Sequence, residues 1–277
     1  MLKIAITGST GLVGSRIVEL LHDEFEFIEL TIDKFDMTEE SHVHKVLQYL
    51  DFDVFLHLAA YTNVEKAETE PELAYKLNVD ATRYLFEAVQ NKNAKFIYIS
   101  TDFVFDGKNP PYYEDSVPNP LSVYGKTKWE GEQVIKDAGM IVRICYPYRA
   151  KFDDKKDIVR TIKSLLEQGK TLTMVEDTDM TPTFVDDIAY ALKYLMNNYS
   201  PEIFHIVGAD TVSPFAAGKL IAKTFGLDES LVNPTTFTEY FKGKAPRPQH
   251  AEMRTKKNTF YKMKTFEEGL QVIKKQS

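Results

Sequence analysis

Tyr124 and Lys128 stand four residues apart in Tyr124-Gly125-Lys126-Thr127-Lys128, and on a helix two such positions share a face. A phenol beside an ammonium is a tunable acid. The free tyrosine pKa of about 10 makes it a poor proton donor and acceptor near neutrality, whereas a neighbouring cation stabilises the phenolate and lowers that value. The pair can then exchange a proton with a carbonyl oxygen. Alone the spacing carries little, because Tyr and Lys meet at this interval on many solvated helices. Here a strand-like run, Phe96-Ile97-Tyr98-Ile99-Ser100-Thr101, precedes it and ends on a second hydroxyl.

Those side chains need a scaffold, and the N-terminus names one. Leu2-Lys3-Ile4-Ala5-Ile6-Thr7 is a short apolar run, followed by Gly8-Ser9-Thr10-Gly11-Leu12-Val13-Gly14 and then the helical pattern Ile17, Val18, Leu20, Leu21. This reads as strand, glycine turn, helix. The glycines let the backbone turn tightly and approach a pyrophosphate, whose charge the helix start attracts. The spacing is G-x-x-G-x-x-G rather than the commoner G-x-G-x-x-G. Asp33 closes the next expected strand, Glu26 to Ile32, where an acid can hold the adenosine ribose hydroxyls of a dinucleotide. It would repel a 2′-phosphate, an effect that Lys34 and Arg16 would offset, so NAD and NADP both stay open.

Read for period, the rest alternates. The pattern predicts a helix from about Thr38 to Leu50, a strand Asp53 to Leu58, a long helix opened by Pro71, the strand ending at Thr101, the Tyr124 helix and a strand Met140 to Cys145. The fold class expected is therefore α/β, a Rossmann-type doubly wound parallel sheet with ligands at the carboxyl ends of its strands. Gly8, Ala59, Thr101 and Tyr146 all fall at such ends. Residues 1–146 make the nucleotide-binding domain, with a return segment at about 183–207. Residues 147–182 and 208–277 make a smaller substrate lobe.

Composition narrows the class of molecule. With 277 residues, 43% of them hydrophobic, the chain can bury a core large enough for one such domain and a lobe. No stretch is long and apolar enough to span a bilayer, and a strand beginning at residue 2 leaves no room for a signal peptide, which points to a cytoplasmic protein without membrane partners. A net charge of −7 argues against nonspecific nucleic-acid binding. The one cysteine, Cys145, excludes an intramolecular disulfide and a cysteine-based metal site, and reads as a small core residue. His57 reads as a packed core histidine. His42 and His44 have no ligand partners at metal spacing, so no metal is expected. Trp129 is expected to pack on a neighbouring helix or subunit, and Lys155 and Lys156 to lie on a solvated face.

Several stretches together resemble the extended short-chain dehydrogenase/reductases, and within them the dTDP-4-dehydrorhamnose reductase family. They are Gly8 to Gly14, Asp36-Met37-Thr38, His57 to Glu68, Ser100 to Gly107, Pro120 to Glu132 and Thr181 to Ala189, in the family's order through most of the chain. The resemblance implies NADPH or NADH as cofactor and a nucleotide sugar as substrate. It makes Tyr124 the proton donor to a ketone, Lys128 the group that lowers the Tyr124 pKa and holds the nicotinamide ribose, and Thr101 a donor to the same carbonyl oxygen. Gly11, Leu12 and Val13 would offer the pyrophosphate turn, Asp36 and Met37 the adenine pocket, and Ala60, Tyr61 and Thr62 the middle of the cofactor, with Gly8, Thr10, Gly14 and Ala59 also among the cofactor-binding residues. Asp102 would lie close to the sugar.

The chain departs from the family at Tyr146, where a tryptophan is usual, and a tyrosine there stacks over less area. Pro246-Arg247-Pro248 resembles the family's Arg-Pro element, which makes Arg247 a candidate diphosphate contact. Two other readings of the scaffold stay open. A sugar-nucleotide epimerase uses the same Thr, Tyr and Lys, and a regulatory subunit like that of methionine adenosyltransferase shares the fold. Dehydration is disfavoured, because the dehydratases place a glutamate where this chain has Phe103. Long exposed helices pair across a dimer interface in many members of the superfamily, which leaves a homodimer open.

Overall fold

The computed structural model describes residues 1–154 and 156–276. From the N-terminus come β1 (Leu2–Thr7), α1 (Gly14–Leu21), β2 (Phe25–Leu30), α2 (Glu40–Leu47) and β3 (Val54–His57). Short helices α3 (Val64–Thr69) and α4 (Pro71–Tyr75) lead through a π-helical turn at Lys76–Asp80 into α5 (Ala81–Gln90) and β4 (Lys95–Thr101). Next are α6 (Val123–Ile135), β5 (Met140–Ile144), β6 (Pro147–Tyr148), α7 (Ile158–Glu167), β7 (Leu172–Val175), β8 (Thr183–Phe184), α8 (Val185–Asn197) and β9 (Ile203–His205). The chain ends through α9 (Pro214–Phe225), β10 (Val232–Thr235), α10 (Phe237–Tyr240) and α11 (Phe266–Gln276). Lys155, expected on a solvated face, lies outside the described residues.

The central sheet has the order β2-β1-β3-β4-β5-β9, and every pairing in it is parallel. Successive side chains on a strand point to opposite faces, so β1 feeds two cores at once. Ile4 and Ile6 pack with Ile17 and Leu21 of α1 and with Ile188 and Leu192 of α8. Ala5 joins Phe55, Phe96 and Tyr98 against Leu47 of α2, Leu85 of α5 and Ile135 of α6. Each such large side chain taken from water stabilises the fold by roughly 1.5–3 kcal/mol. A third cluster, with Tyr148, Val159, Ile162, Ile221 and Leu270, is built from β6, α7, α9 and α11.

This is the doubly wound α/β architecture expected from the alternation. Strand order reverses between β1 and β3, and there the two following turns part to leave a crevice at the carboxyl edge. Two elements differ from the pattern. β2 stops at Leu30 rather than Ile32, because the amides of Lys34 and Phe35 both return to the Thr31 carbonyl, at 3.0 and 2.8 Å, and close a turn that buries Phe35. The helix opened by Pro71 is interrupted at Lys76–Asp80 by the π-helical turn.

Candidate functional site

The crevice holds a cavity of about 570 Å³ that runs along the carboxyl ends of β1, β3, β4 and β5. At one end lies the glycine turn. Gly8 has φ +73°, and a Cβ on it would lie 2.8 Å from the Ala59 nitrogen, so the turns after β1 and β3 touch only because this residue is glycine. A Cβ on Gly14 would come within 2.2 Å of the Gly8 carbonyl. Both glycines are thus required by the packing of the turn on itself and on the turn after β3, and both line the cavity. No side chain caps the start of α1, where the amides of Ser15 and Arg16 donate to the Gly11 and Val13 carbonyls, both at 3.1 Å, and the helix start favours an anion.

Thr10, Gly11, Leu12, Val13, Asp36, Met37, Ala59, Ala60 and Thr62 line this cavity together with Thr101, Asp102, Tyr124, Lys128 and Tyr146. Asp36 is held by a local turn, its Oδ1 accepting the Thr38 amide at 2.9 Å and the Thr38 hydroxyl at 2.7 Å. Ser100 Oγ and Asp102 Oδ2 are buried in the lining without a hydrogen-bond partner. An elongated, mostly apolar trough with a glycine cradle at one end and unpartnered oxygens at the other fits a dinucleotide and a second polar ligand.

Three expected contacts do not line it. Asp33 is exposed, because the Thr31 turn ends the strand early and turns its carboxylate outward beside the Thr31 hydroxyl, which lowers its pKa. Tyr61 gives its hydroxyl to Glu70 at 2.5 Å. Arg247 is paired with Glu65 and lies over the Phe241 ring, 4.1 Å from its centroid. Arg16 does not offset a charge at the ribose, since its guanidinium is clamped on Asp186 at 2.7 and 2.8 Å.

At the other end α6 brings Tyr124 and Lys128 into the lining. Ser122 caps this helix, its hydroxyl accepting the Gly125 amide at 3.1 Å. The edge of the Tyr124 ring meets Phe103, with centroids 5.4 Å apart. Burial pushes the Tyr124 hydroxyl pKa upward, its contact with the Thr101 hydroxyl opposes the rise, and the Asp102 charge adds to it. This corrects the expectation of a depressed value. The Lys128 ammonium is turned away, donating to the Ile99 carbonyl at 2.8 Å and standing 3.9 Å over the Tyr98 ring. Burial lowers its own pKa to about 7.

Thr101 ends β4 with its hydroxyl donating to Asp102 Oδ1 at 2.8 Å. Asp102 is 3% exposed, and burial raises its carboxyl to about 6. Tyr146 follows β5 with φ 39°, a left-handed conformation that is strained for a residue with a Cβ and turns the ring to the cavity mouth.

The sequence reading missed Asn78. It sits in the π-helical turn, accepts the Tyr61 amide at 2.8 Å, and donates to the Tyr61 carbonyl at 3.1 Å and to Thr127 of α6 at 2.9 Å. One side chain thereby joins the loop after β3 to the helix of Tyr124 and Lys128. The signal available was an amide between apolar Leu77 and Val79.

Elsewhere the placements are simple. His57 is 1% exposed between Thr7 and Thr82, and burial lowers its pKa to about 3. Cys145 is buried, and Trp129 packs against the cluster that holds it with Phe105, Tyr112 and Met253. Lys156 is exposed and donates to Ser164. His44 lies with Glu40 and Glu87, their ligand atoms all within 4.8 Å of one another, where the sequence reading saw no partners; both glutamates are exposed. Among the described residues no helix is long and apolar enough to cross a membrane.

Comparison with known proteins agrees with this geometry. A dTDP-4-dehydrorhamnose reductase of Mycolicibacterium smegmatis is 30% identical over 92% of this chain and 79% of its own length. Methionine adenosyltransferase 2 subunit beta of Bos taurus is 29% identical over 91% of this chain and 80% of its own. The crystal structure of dTDP-4-dehydrorhamnose reductase from Bacillus anthracis in complex with NADP superposes with a TM-score of 0.93 at 30% identity, covering 100% of this chain and 99% of that one. The family model described as the RmlD substrate binding domain matches residues 2–277, and the chain belongs to that family.

Proposed function

We propose that this protein reduces the 4-keto group of dTDP-4-dehydrorhamnose to give dTDP-rhamnose, with NADPH or NADH as reductant. The observation that carries the reading is that Thr101, Tyr124 and Lys128 share one cavity with the glycine turn. When bound along that trough, the dinucleotide supplies the hydride that reaches the carbonyl carbon. The chain supplies the rest.

Gly8 to Gly14 receive the pyrophosphate, Asp36 and Met37 flank the adenine, and Ala59, Ala60 and Thr62 line the middle. Tyr124 gives its phenolic proton to the carbonyl oxygen as negative charge develops there. A raised pKa keeps that proton on the phenol at neutral pH. Lys128 holds the nicotinamide ribose hydroxyls, and Thr101 orients the carbonyl. Asp102 and Tyr146 face the sugar, and segments 147–182 and 208–277 form the substrate lobe. Arg247 reaches a diphosphate only by leaving Glu65.

Incubation with NADPH or NADH and the ketosugar, followed at the nicotinamide absorbance, tests the reading. Oxidation that disappears in Tyr124→Phe is the expected result. Dinucleotide binding without oxidation, accompanied by activation of a partner enzyme that persists in the variant, would overturn it in favour of a regulatory subunit.

A further inference from the structure

Thr101 cannot polarise a ketone in the arrangement it holds. A hydroxyl has one proton, and that of Thr101 is given to Asp102 Oδ1 at 2.8 Å, while its oxygen already accepts the Phe103 amide at 3.3 Å. As long as Asp102 is a carboxylate, an acceptor only, the Thr101 proton stays engaged with it. A carboxyl that carries its own proton reverses the bond. The same oxygen–oxygen contact then runs from Asp102 to Thr101, and the threonine proton is released toward the cavity.

We propose that Asp102 works as a neutral carboxyl whose proton sets the direction of the Thr101 hydroxyl, so that Thr101 donates to the reacting ketone oxygen beside Tyr124. Asp102 is thus a positioning residue, acting through Thr101, and this role rests on the reading that a ketosugar is reduced here. Its surroundings support a neutral state. Asp102 is 3% exposed and its Oδ2 lacks a hydrogen-bond partner, and although Thr101, the Cys145 thiol and the amides of Asp102 and Phe103 favour the charged form, burial outweighs them. Facing it are the Tyr124 hydroxyl from α6, the Cys145 thiol and Tyr146 from the segment after β5, and Thr101 beside it. Lys128, on the same helix as Tyr124, is bonded to Ile99 instead, and Arg247 stands beyond Tyr146 in a pair with Glu65. Among the described residues no cation is paired with Asp102. Burial accordingly holds its carboxyl up at about 6.

The test compares pH profiles of kcat/KM for the wild-type protein, D102N and D102A with NADPH and the ketosugar, alongside the infrared carboxyl stretch of the unliganded proteins. The wild-type profile is expected to fall in two steps, one near pH 6 as Asp102 ionises and one above pH 7 as Lys128, its pKa raised from about 7 by the bound dinucleotide, loses its charge. D102N, whose amide donates to Thr101 at every pH, loses the lower step and keeps the upper. D102A, which orients nothing, loses about 100-fold in kcat with KM for NADPH unmoved. The neutral carboxyl stretch, identified by its loss in D102N, fades as pH rises through about 6. A D102N profile of wild-type shape, equal kcat in D102N and D102A, or no neutral carboxyl at pH 5 would overturn the proposal. If the wild-type protein oxidises no NADPH, the reading of the reaction falls and the positioning role falls with it. If it does and D102N still titrates like wild type, only the positioning role falls.

Discussion

Two buried groups on one face of α6 are driven in opposite directions by the same physics. Burial disfavours charge, so the Tyr124 phenol holds its proton more tightly and the Lys128 ammonium loses its proton at about pH 7. Tyr124 therefore stays protonated at neutral pH, and only the negative charge that develops on the ketone oxygen draws its proton off. Tyr124→Phe removes that proton without disturbing the glycine turn, and kcat should fall by roughly 100- to 10,000-fold while the dissociation constant for NADPH, read by fluorescence titration, stays within about threefold. A loss of dinucleotide binding equal to the loss of rate would assign Tyr124 to binding instead. Lys128 is the complementary case. An anionic dinucleotide beside it favours its charged form, so binding near pH 8 should take up a proton as the Lys128 pKa rises from about 7. Calorimetry in buffers of different ionisation enthalpy reads that proton directly, and Lys128→Met should abolish it.

The elements hold these groups through contacts of unequal visibility in the sequence. The glycine turn and the Tyr124–Lys128 face were legible because each depends on spacing within one local segment. Asp33 was not, since the direction of its side chain follows from a turn that Phe35 closes by burying itself. Asn78 was hidden for a similar reason. Its partners Tyr61 and Thr127 are 17 and 49 residues away, and only the π-helical turn aims it at both. Asn78→Ala should leave the Tyr61 amide and the Thr127 hydroxyl short of a partner, at a cost of about 1–3 kcal/mol, and loosen Ala59 to Thr62 against α6. The expected signature is a lower unfolding midpoint together with a raised KM for NADPH, with KM for the sugar little changed. Gly131 sets the distance of α6 from the sheet, because a Cβ there would lie 2.4 Å from the Tyr98 hydroxyl and 2.6 Å from the Asn78 carbonyl. Gly131→Ala should push the helix outward and lower stability by roughly 1–3 kcal/mol, taking kcat down with it. Unchanged kinetics in a destabilised variant would separate α6 placement from catalysis.

Across the whole molecule, the sheet is closed by charges that water does not reach. Arg143 of β5 and Glu132 of α6, each 1% exposed, pair at 2.6 Å, and Glu114 gathers the His205 amide with Thr255 and Lys256 of the C-terminal segment. Two imidazoles are buried in the fold, His205 within this frame and His57 between Thr7 and Thr82. Burial lowers His57 to about 3, while burial and the Arg143 charge lower His205 to about 4. Both values lie below the unfolded value of about 6.5, so the unfolded chain binds these protons first. Their contribution is complete above pH 6.5 and drains away as pH falls toward 4 and then 3, by about 1.4 kcal/mol per pH unit for each. Asp102 has the opposite sign. Its folded value of about 6 exceeds the unfolded carboxyl value, so its neutral form favours the fold at low pH and the advantage is lost as pH rises toward 6. Between pH 4 and 6 one carboxyl thus offsets one of two imidazoles. Thermal unfolding measured across this window should show stability dropping on acidification in the wild-type protein, more steeply in D102N, where the offset is gone, and less steeply in His57→Asn. A D102N curve parallel to the wild type would mean that Asp102 stays ionised in the fold, and the neutral carboxyl on which the Thr101 hydroxyl depends would not exist.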